Sequence, residues 1–156
     1  MRTIIIYATK HGAAGEIAKR IAEKIEGAAM HDLKKDGIPA LDNYDCIIIG
    51  SSIYAGRMLK EAKEFVAVNM GVLQGKKLGL YLSGLDSSGE NGFLETNFPS
   101  DLLQKAKAAS FLGGIFDPKK AGAFERLIIK LLTKKSEYLD SIDSEKIDQF
   151  VKDMQS

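Results

Sequence analysis

Short apolar runs and helix-periodic stretches take turns along this chain. Thr3-Ile4-Ile5-Ile6-Tyr7-Ala8 opens it, and Cys46-Ile47-Ile48-Ile49 forms a second run. Neither alternates with polar residues, which is the pattern of parallel strands covered on both faces. Leu78-Gly79-Leu80-Tyr81-Leu82 and Ser110-Phe111-Leu112-Gly113-Gly114-Ile115 predict two more strands, and Ala28-Ala29-Met30-His31-Asp32-Leu33 predicts the remaining one. The stretches between them carry the helical period. Ala14, Ile17, Ala18, Ile21, Ala22 and Ile25 form one stripe, with Gly27 as its stop. Leu59, Ala62, Phe65, Val66 and Met70 form another, with Gly71 as its stop. A third helix is expected across Leu94–Ala108, its start restricted by Pro99. Phe124, Leu127, Ile128, Leu131 and Leu132 line a fourth, and Ile147, Phe150, Val151 and Met154 a fifth.

Strand–helix alternation implies right-handed crossovers and an α/β doubly wound parallel sheet. Ligands of such sheets bind at the carboxyl ends of the strands, near the point where strand order reverses. Three loops leave those ends, at residues 9–15, 51–57 and 83–93, and all are rich in Gly, Ser or Asp. The first is the most informative. Thr9-Lys10-His11-Gly12-Ala13-Ala14-Gly15 joins an apolar strand directly to a helix, so backbone N–H groups of the first turn face the loop. Together with the helix dipole they form a phosphate cradle.

The loop lacks Gly-x-x-x-x-Gly-Lys-[Ser/Thr] and Gly-x-Gly-x-x-Gly, which argues against a nucleotide triphosphatase and a dinucleotide. No Asp-rich phosphoryl-acceptor pocket follows the first strand either. A loop suited to one terminal phosphate is what remains.

Composition narrows the setting without changing the fold. The chain has 156 residues, enough for a single domain over 1–156 with layers on both faces of a sheet. A net charge of +1 gives no electrostatic case for nucleic acid as a partner. The single cysteine, Cys46, excludes an internal disulfide and suits a reducing compartment. No apolar run reaches the length of a membrane span, and the N-terminus leads straight into a strand, so a cytoplasmic protein is expected. No His, Cys and carboxylate cluster has metal-ligand spacing, and no Ser-His-Asp arrangement stands out. Cys46 reads as a packed thiol, and His31 as a structural or solvated side chain.

Four features carry a resemblance to the flavodoxin family: the Ile-Ile-Ile-Tyr-Ala-Thr-Lys-His-Gly opening, the segment from Asn43-Tyr44-Asp45 to Ser51-Ser52-Ile53-Tyr54-Ala55-Gly56-Arg57, the Asp86-Ser87-Ser88-Gly89-Glu90 loop, and the overall alternation. The resemblance implies a three-layer α/β/α fold, a five-stranded parallel sheet in the order 2-1-3-4-5, and noncovalently bound FMN. It places the FMN phosphate on Thr9, Lys10, His11, Gly12, Ala13 and Ala14. The ring is implied to lie between two further groups, Ser51, Ser52, Ile53, Tyr54, Ala55 and Gly56 on one side, and Ser83, Gly84, Leu85, Asp86, Gly89 and Glu90 on the other. Two positions depart from the family. Ala14 stands where a hydroxyl is usual, which shifts phosphate binding onto Thr9, Lys10 and backbone amides. Gly89 stands where short flavodoxins stack an aromatic, which makes Tyr54 the stacking candidate. Tyr54-Ala55-Gly56 is the peptide implied to face ring N5, with Gly56 supplying conformational freedom. Lys10, His11, Arg57 and Lys60 are expected near the site, where positive charge favours reduced flavin.

The last third adds a second resemblance. Leu112-Gly113-Gly114-Ile115-Phe116, followed by Phe124-Glu125-Arg126-Leu127-Ile128-Ile129-Lys130-Leu131-Leu132, is similar to the flavodoxin-like menaquinone-dependent protoporphyrinogen dehydrogenases. That branch implies electrons taken from a tetrapyrrole precursor and delivered to a quinone at the membrane. Three readings follow: an FMN electron carrier serving a redox partner protein, a protoporphyrinogen oxidoreductase using quinone, and a cofactor-free interaction module. The carrier is favoured. The helix within 119–135 either covers one face of the sheet, as expected, or makes peripheral contact with an anionic membrane.

Overall fold

The computed structural model describes residues 1–85, 90–120, 122–133 and 138–156, with the side chains at 90, 91, 124, 128, 129, 132 and 133 outside that description. In chain order the elements begin with β1 (Thr3–Ala8), α1 (Ala13–Ala22), β2 (Ala29–Asp32), β3 (Cys46–Tyr54), β4 (Arg57–Met58), α2 (Lys60–Val68) and α3 (Met70–Gln74). They continue with β5 (Lys77–Ser83), α4 (Glu90–Asn97), α5 (Ser100–Lys105), β6 (Ala108–Phe111), β7 (Ile115–Phe116), α6 (Ala123–Thr133), β8 (Leu139–Asp140) and α7 (Ser144–Gln155).

The main sheet runs β2-β1-β3-β5-β6, every neighbour parallel, with β4 hairpinned back on β3. Setting β4 aside, this is the expected 2-1-3-4-5 order. The pleat sorts the apolar runs between two faces. Ile4, Ile6, Ile47, Ile49, Leu78 and Leu80 pack under α2, α3 and α5. Ile5, Ile48 and Tyr81 pack under α1 and α7, against Ile17, Ile21, Phe150 and Met154. Cys46 is buried among the second set, and burial pushes its thiol pKa up, as a packed thiol requires.

Several boundaries differ from the sequence pattern, each for a local reason. The stripe ending at Met70 divides into α2 and α3 because the Asn69 side-chain amide donates to the Phe65 carbonyl, 2.8 Å away. Gly71 therefore lies inside α3 instead of ending a helix. The helix expected across Leu94–Ala108 is two helices, since Pro99 holds an extended ψ of 138° and disfavours helical geometry in Phe98 before it. The strand expected over 110–115 stops at Phe111. Gly113 turns at φ +85°, and a Cβ on Gly114 would meet the Gly84 backbone at 2.9 Å, so the chain crosses over instead of continuing. Ile115–Phe116 then pairs antiparallel with Leu139–Asp140, a small sheet the pattern did not predict.

The largest correction concerns α6. The sequence reading has this helix covering the sheet, yet α7 fills that place, with Ile147, Phe150, Val151 and Met154 buried. Leu127 and Leu131 of α6 are 54% and 73% exposed. Helix α6 instead reaches the carboxyl end of the sheet through Glu125.

One steric arrangement holds the centre. Tyr81 is fully buried on β5 and crosses Gly50 of the neighbouring β3, where a Cβ would sit 1.9 Å from the ring. Its hydroxyl donates to the Ala14 carbonyl at 2.7 Å, fixing the first turn of α1 over the sheet. Burial raises the phenol pKa well above its ordinary value, so the group stays a donor. We expect Gly50→Ala to destabilise the fold by about 1–3 kcal/mol through overpacking, measured by urea unfolding.

Candidate functional site

The cradle is built at the end of β1. Gly12, at φ 101°, precedes α1 in the left-handed conformation, and its N–H donates to Thr9 Oγ1 at 2.9 Å. The first intrahelical bond runs from Glu16 N–H to the Gly12 carbonyl, so the amides of Ala13, Ala14 and Gly15 lie ahead of it. Such amides are the donors a helix N-terminus offers an anion. Ala14 itself is fully buried in the core beneath α1. Its side chain faces away from the cavity, which makes the missing hydroxyl a matter of packing as well as of binding.

A two-residue turn forms the second wall. Tyr54 pairs with Arg57 across the β3–β4 hairpin, and the residues between them, Ala55 and Gly56, have φ of 52° and 77°. Positive φ at both positions is the tight hairpin turn that suits strand twist. Asn97 of α4 braces it. Its amide donates to the Gly56 carbonyl at 2.9 Å and to the Phe93 carbonyl at 2.8 Å, while its oxygen accepts from Met58 N–H at 2.8 Å. The tip of the hairpin is thereby tied to the loop helix facing it.

Ser83, Gly84 and Leu85, leaving β5, form the third wall. These three walls enclose a cavity of about 570 Å³, within the usual range for a cofactor site. Of the predicted residues, Lys10, His11, Ala13, Ser52, Ile53, Tyr54, Ala55, Gly56, Ser83, Gly84 and Leu85 line it. Ser51 does not. Its hydroxyl is buried, donating to the Ser52 carbonyl at 2.8 Å and accepting from Leu59 N–H at 2.9 Å, so it shapes the start of α2. Asp86, Gly89 and the Glu90 side chain lie outside the described residues.

Sequence reasoning missed Phe93, Phe111, Phe116 and Glu125 among the lining residues. Phe93 and Phe111 sit 6.0 Å apart, tilted by 34°, and give the cavity an aromatic wall. Phe93 lies only four residues beyond Gly89, so the missing aromatic had a near substitute in the sequence.

The electrostatics are more balanced than the list of cations implied. Arg57 is exposed on β4, and Lys60 lies beside Glu64 at 3.7 Å on an exposed helix; neither lines the cavity. Lys10 Nζ lies 2.8 Å from Glu125 Oε1, and His11 Nε2 2.6 Å from Glu125 Oε2. Partial burial pushes the Glu125 carboxyl pKa up, but the hydrogen bonds from Lys10 and His11, with their charge, outweigh it and hold it below the usual value. Lys10 Nζ also lies 3.5 Å from the centre of the Tyr54 ring. His31 stands apart from the site, with Nε2 2.8 Å from the Gly37 carbonyl.

This is a doubly wound α/β protein with a mononucleotide-sized site at its topological switch point. A family model described as Flavodoxin domain matches residues 4–143, and the chain belongs to that family. A comparison with curated proteins gives no match. Among solved structures the chain is similar to a short-chain flavodoxin associated with a bacterial microcompartment. The TM-score is 0.60 at 14% identity, over 99% of this chain and 97% of that one. It is also similar to oxidised flavodoxin 1 from Bacillus cereus, with TM-score 0.58 and 15% identity over 99% and 95% of the two chains. A third similar structure is the rubredoxin oxygen:oxidoreductase of the anaerobe Desulfovibrio gigas, with TM-score 0.58 and 14% identity. There the match covers 99% of this chain but 34% of the other, so this chain spans about a third of that enzyme. At these identities the likeness speaks for the fold.

The residues present fit the FMN that the family implies. The glycine-led helix start offers amides to a phosphate. Ser83, which lines the cavity, keeps a buried hydroxyl with no protein partner among the described residues. A buried polar atom left unpaired by the protein is matched when a polar ligand edge arrives. Thr9, Lys10, His11, Gly12 and Ala13 would hold the phosphate, and Tyr54, Phe93 and Ser83 would border the ring. Removing the brace should loosen this wall. Asn97→Ala leaves the Met58 N–H and the Gly56 carbonyl unpaired, with an expected loss of about 1–3 kcal/mol in urea or thermal unfolding.

Proposed function

We propose that this protein binds FMN and works as a flavodoxin-like redox protein, passing electrons between a donor and an acceptor. The observation that carries this reading is convergence. The amide-rich helix start, the positive-φ hairpin tip and the Ser83–Leu85 loop meet on one cavity of about 570 Å³. FMN supplies the redox chemistry itself; the protein's part is to bind, orient and tune it. Thr9 and the first amides of α1 take the phosphate. The Ala55–Gly56 turn presents backbone to one edge of the ring, and Tyr54 and Phe93 exclude water from its faces. Lys10 and His11 add basic side chains to the phosphate end of the site, and before the cofactor binds Glu125 offsets the Lys10 charge.

In a titration with FMN we expect stoichiometric binding and visible flavin absorbance. Gly56→Val places a β-branched side chain where φ is 77° and puts its Cβ 3.5 Å from Phe93. Strain of this kind costs about 1–3 kcal/mol. The variant should therefore weaken FMN roughly tenfold and shift its midpoint potentials. Unchanged affinity and potentials in Gly56→Val would remove the turn from the site.

A second reading is favoured by the surface beside the cavity mouth. Leu127 and Leu131 are exposed on α6, with Arg126 and Lys130 also exposed. Apolar side chains flanked by cations suit an anionic membrane surface, where a quinone acceptor resides. The aromatic wall of Phe93 and Phe111 suits a flat apolar substrate. On this reading the protein oxidises protoporphyrinogen with menaquinone as acceptor. Quinone-dependent turnover of protoporphyrinogen by FMN-saturated protein is the expected result if it holds, and no turnover at full FMN occupancy leaves the carrier. Among the described residues, no helix is long and apolar enough to cross a membrane.

A further inference from the structure

Glu125 does something the rest of the site does not require. It sits in the first turn of α6, well away in sequence from the cradle, yet its two oxygens are divided between two cradle side chains. Lys10 Nζ takes Oε1 at 2.8 Å and His11 Nε2 takes Oε2 at 2.6 Å. The same Lys10 ammonium rests 3.5 Å from the centre of the Tyr54 ring. Lys10, His11, Tyr54 and Glu125 all line the one cavity. A carboxylate therefore already engages two basic side chains of the loop, one of them the lysine whose ammonium also faces the Tyr54 ring.

Neither of the two clusters of buried apolar side chains draws on a described residue of α6, and Leu127 and Leu131 point to solvent. The contact of this helix with Lys10 and His11 is a polar one. Two anions close together in a partly dry site repel, and each competes for the same donors.

We propose that Glu125 is a built-in competitor for the cradle, a carboxylate latch that the terminal phosphate of FMN displaces, releasing the first turn of α6 from Lys10 and His11. The proposal rests on the FMN reading above and adds a consequence to it: cofactor loading is coupled to the position of α6. It also assigns Glu125 a selective role. A ligand with a terminal phosphate exchanges one anion for another on Lys10 and His11. Riboflavin has no phosphate and no means of replacing the carboxylate, so the latch stays closed beside it.

The test compares the full chain and its Glu125→Gln variant, each titrated with FMN and with riboflavin at low ionic strength. Glutamine keeps the size of the side chain and removes the competing charge. The expected result is several-fold tighter FMN binding in Glu125→Gln with riboflavin affinity unchanged. A second readout is hydrogen exchange in residues 122–133 of the wild-type chain, which should speed up when FMN is added and stay unchanged with riboflavin. FMN bound equally or more weakly by Glu125→Gln, or exchange in α6 that ignores FMN, overturns the latch while leaving the FMN reading intact. Failure of both proteins to bind FMN overturns the FMN reading and the latch with it.

Discussion

The site depends on a hydrogen bond that no ligand touches. Tyr81 lies flat over Gly50 in the middle of the sheet and gives its hydroxyl proton to the Ala14 carbonyl. The donor belongs to β5, the absent Cβ to β3 and the acceptor to α1, so one contact ties three elements into a common frame. Because the ring is fully buried, the hydroxyl has no water to turn to, and the bond is worth more than an exposed one. It fixes the first turn of α1 relative to the two strands whose ends form the other cavity walls. The first turn of α1 and the two loops that line the cavity with it are thereby held in register by the core.

The architecture was legible because doubly buried strands leave an unmistakable trace. Ile4-Ile5-Ile6 and Cys46-Ile47-Ile48-Ile49 have no polar face to show, and the structure divides them between two cores as a pleat must. The cradle was legible for a related reason: a loop of small residues between such a strand and a helix stripe is local in sequence. The interruptions were harder to read. Asn69 ends α2 through a side-chain bond to a carbonyl four residues back, and hydrophobic periodicity carries no information about that choice. Gly113 and Gly114 looked like strand because they follow apolar residues, whereas their role is set by the approach of Gly84 from a different part of the chain.

Long-range placement accounts for the other misreadings. Nothing near Glu125 in sequence reveals Lys10 and His11 as its partners, 114 residues separating it from His11. The apolar stripe of α6 resembles that of any covering helix, but the face carrying Ile48 and Tyr81 is packed by α7. Phe150 meets Tyr81 edge-on at 6.3 Å, and Gly79 leaves room for Met154 to close on the strand. Helix α6 meets the end of the sheet through Glu125.

The late position of α7 has a consequence for how the chain acquires its structure during synthesis. All strands of the main sheet, and the helices of its opposite face, emerge before residue 144 does. Until then Ile5, Ile48 and Tyr81 lack the half of their cover that Ile147, Phe150 and Val151 supply. A nascent chain of this protein thus carries an apolar slab with one side finished and one side half bare, at a stage when other unfinished chains are close by. Completion of that face is a docking event between residues 144–155 and a surface built from segments that precede them. The interval between those two moments is when the molecule has most to gain from a chaperone.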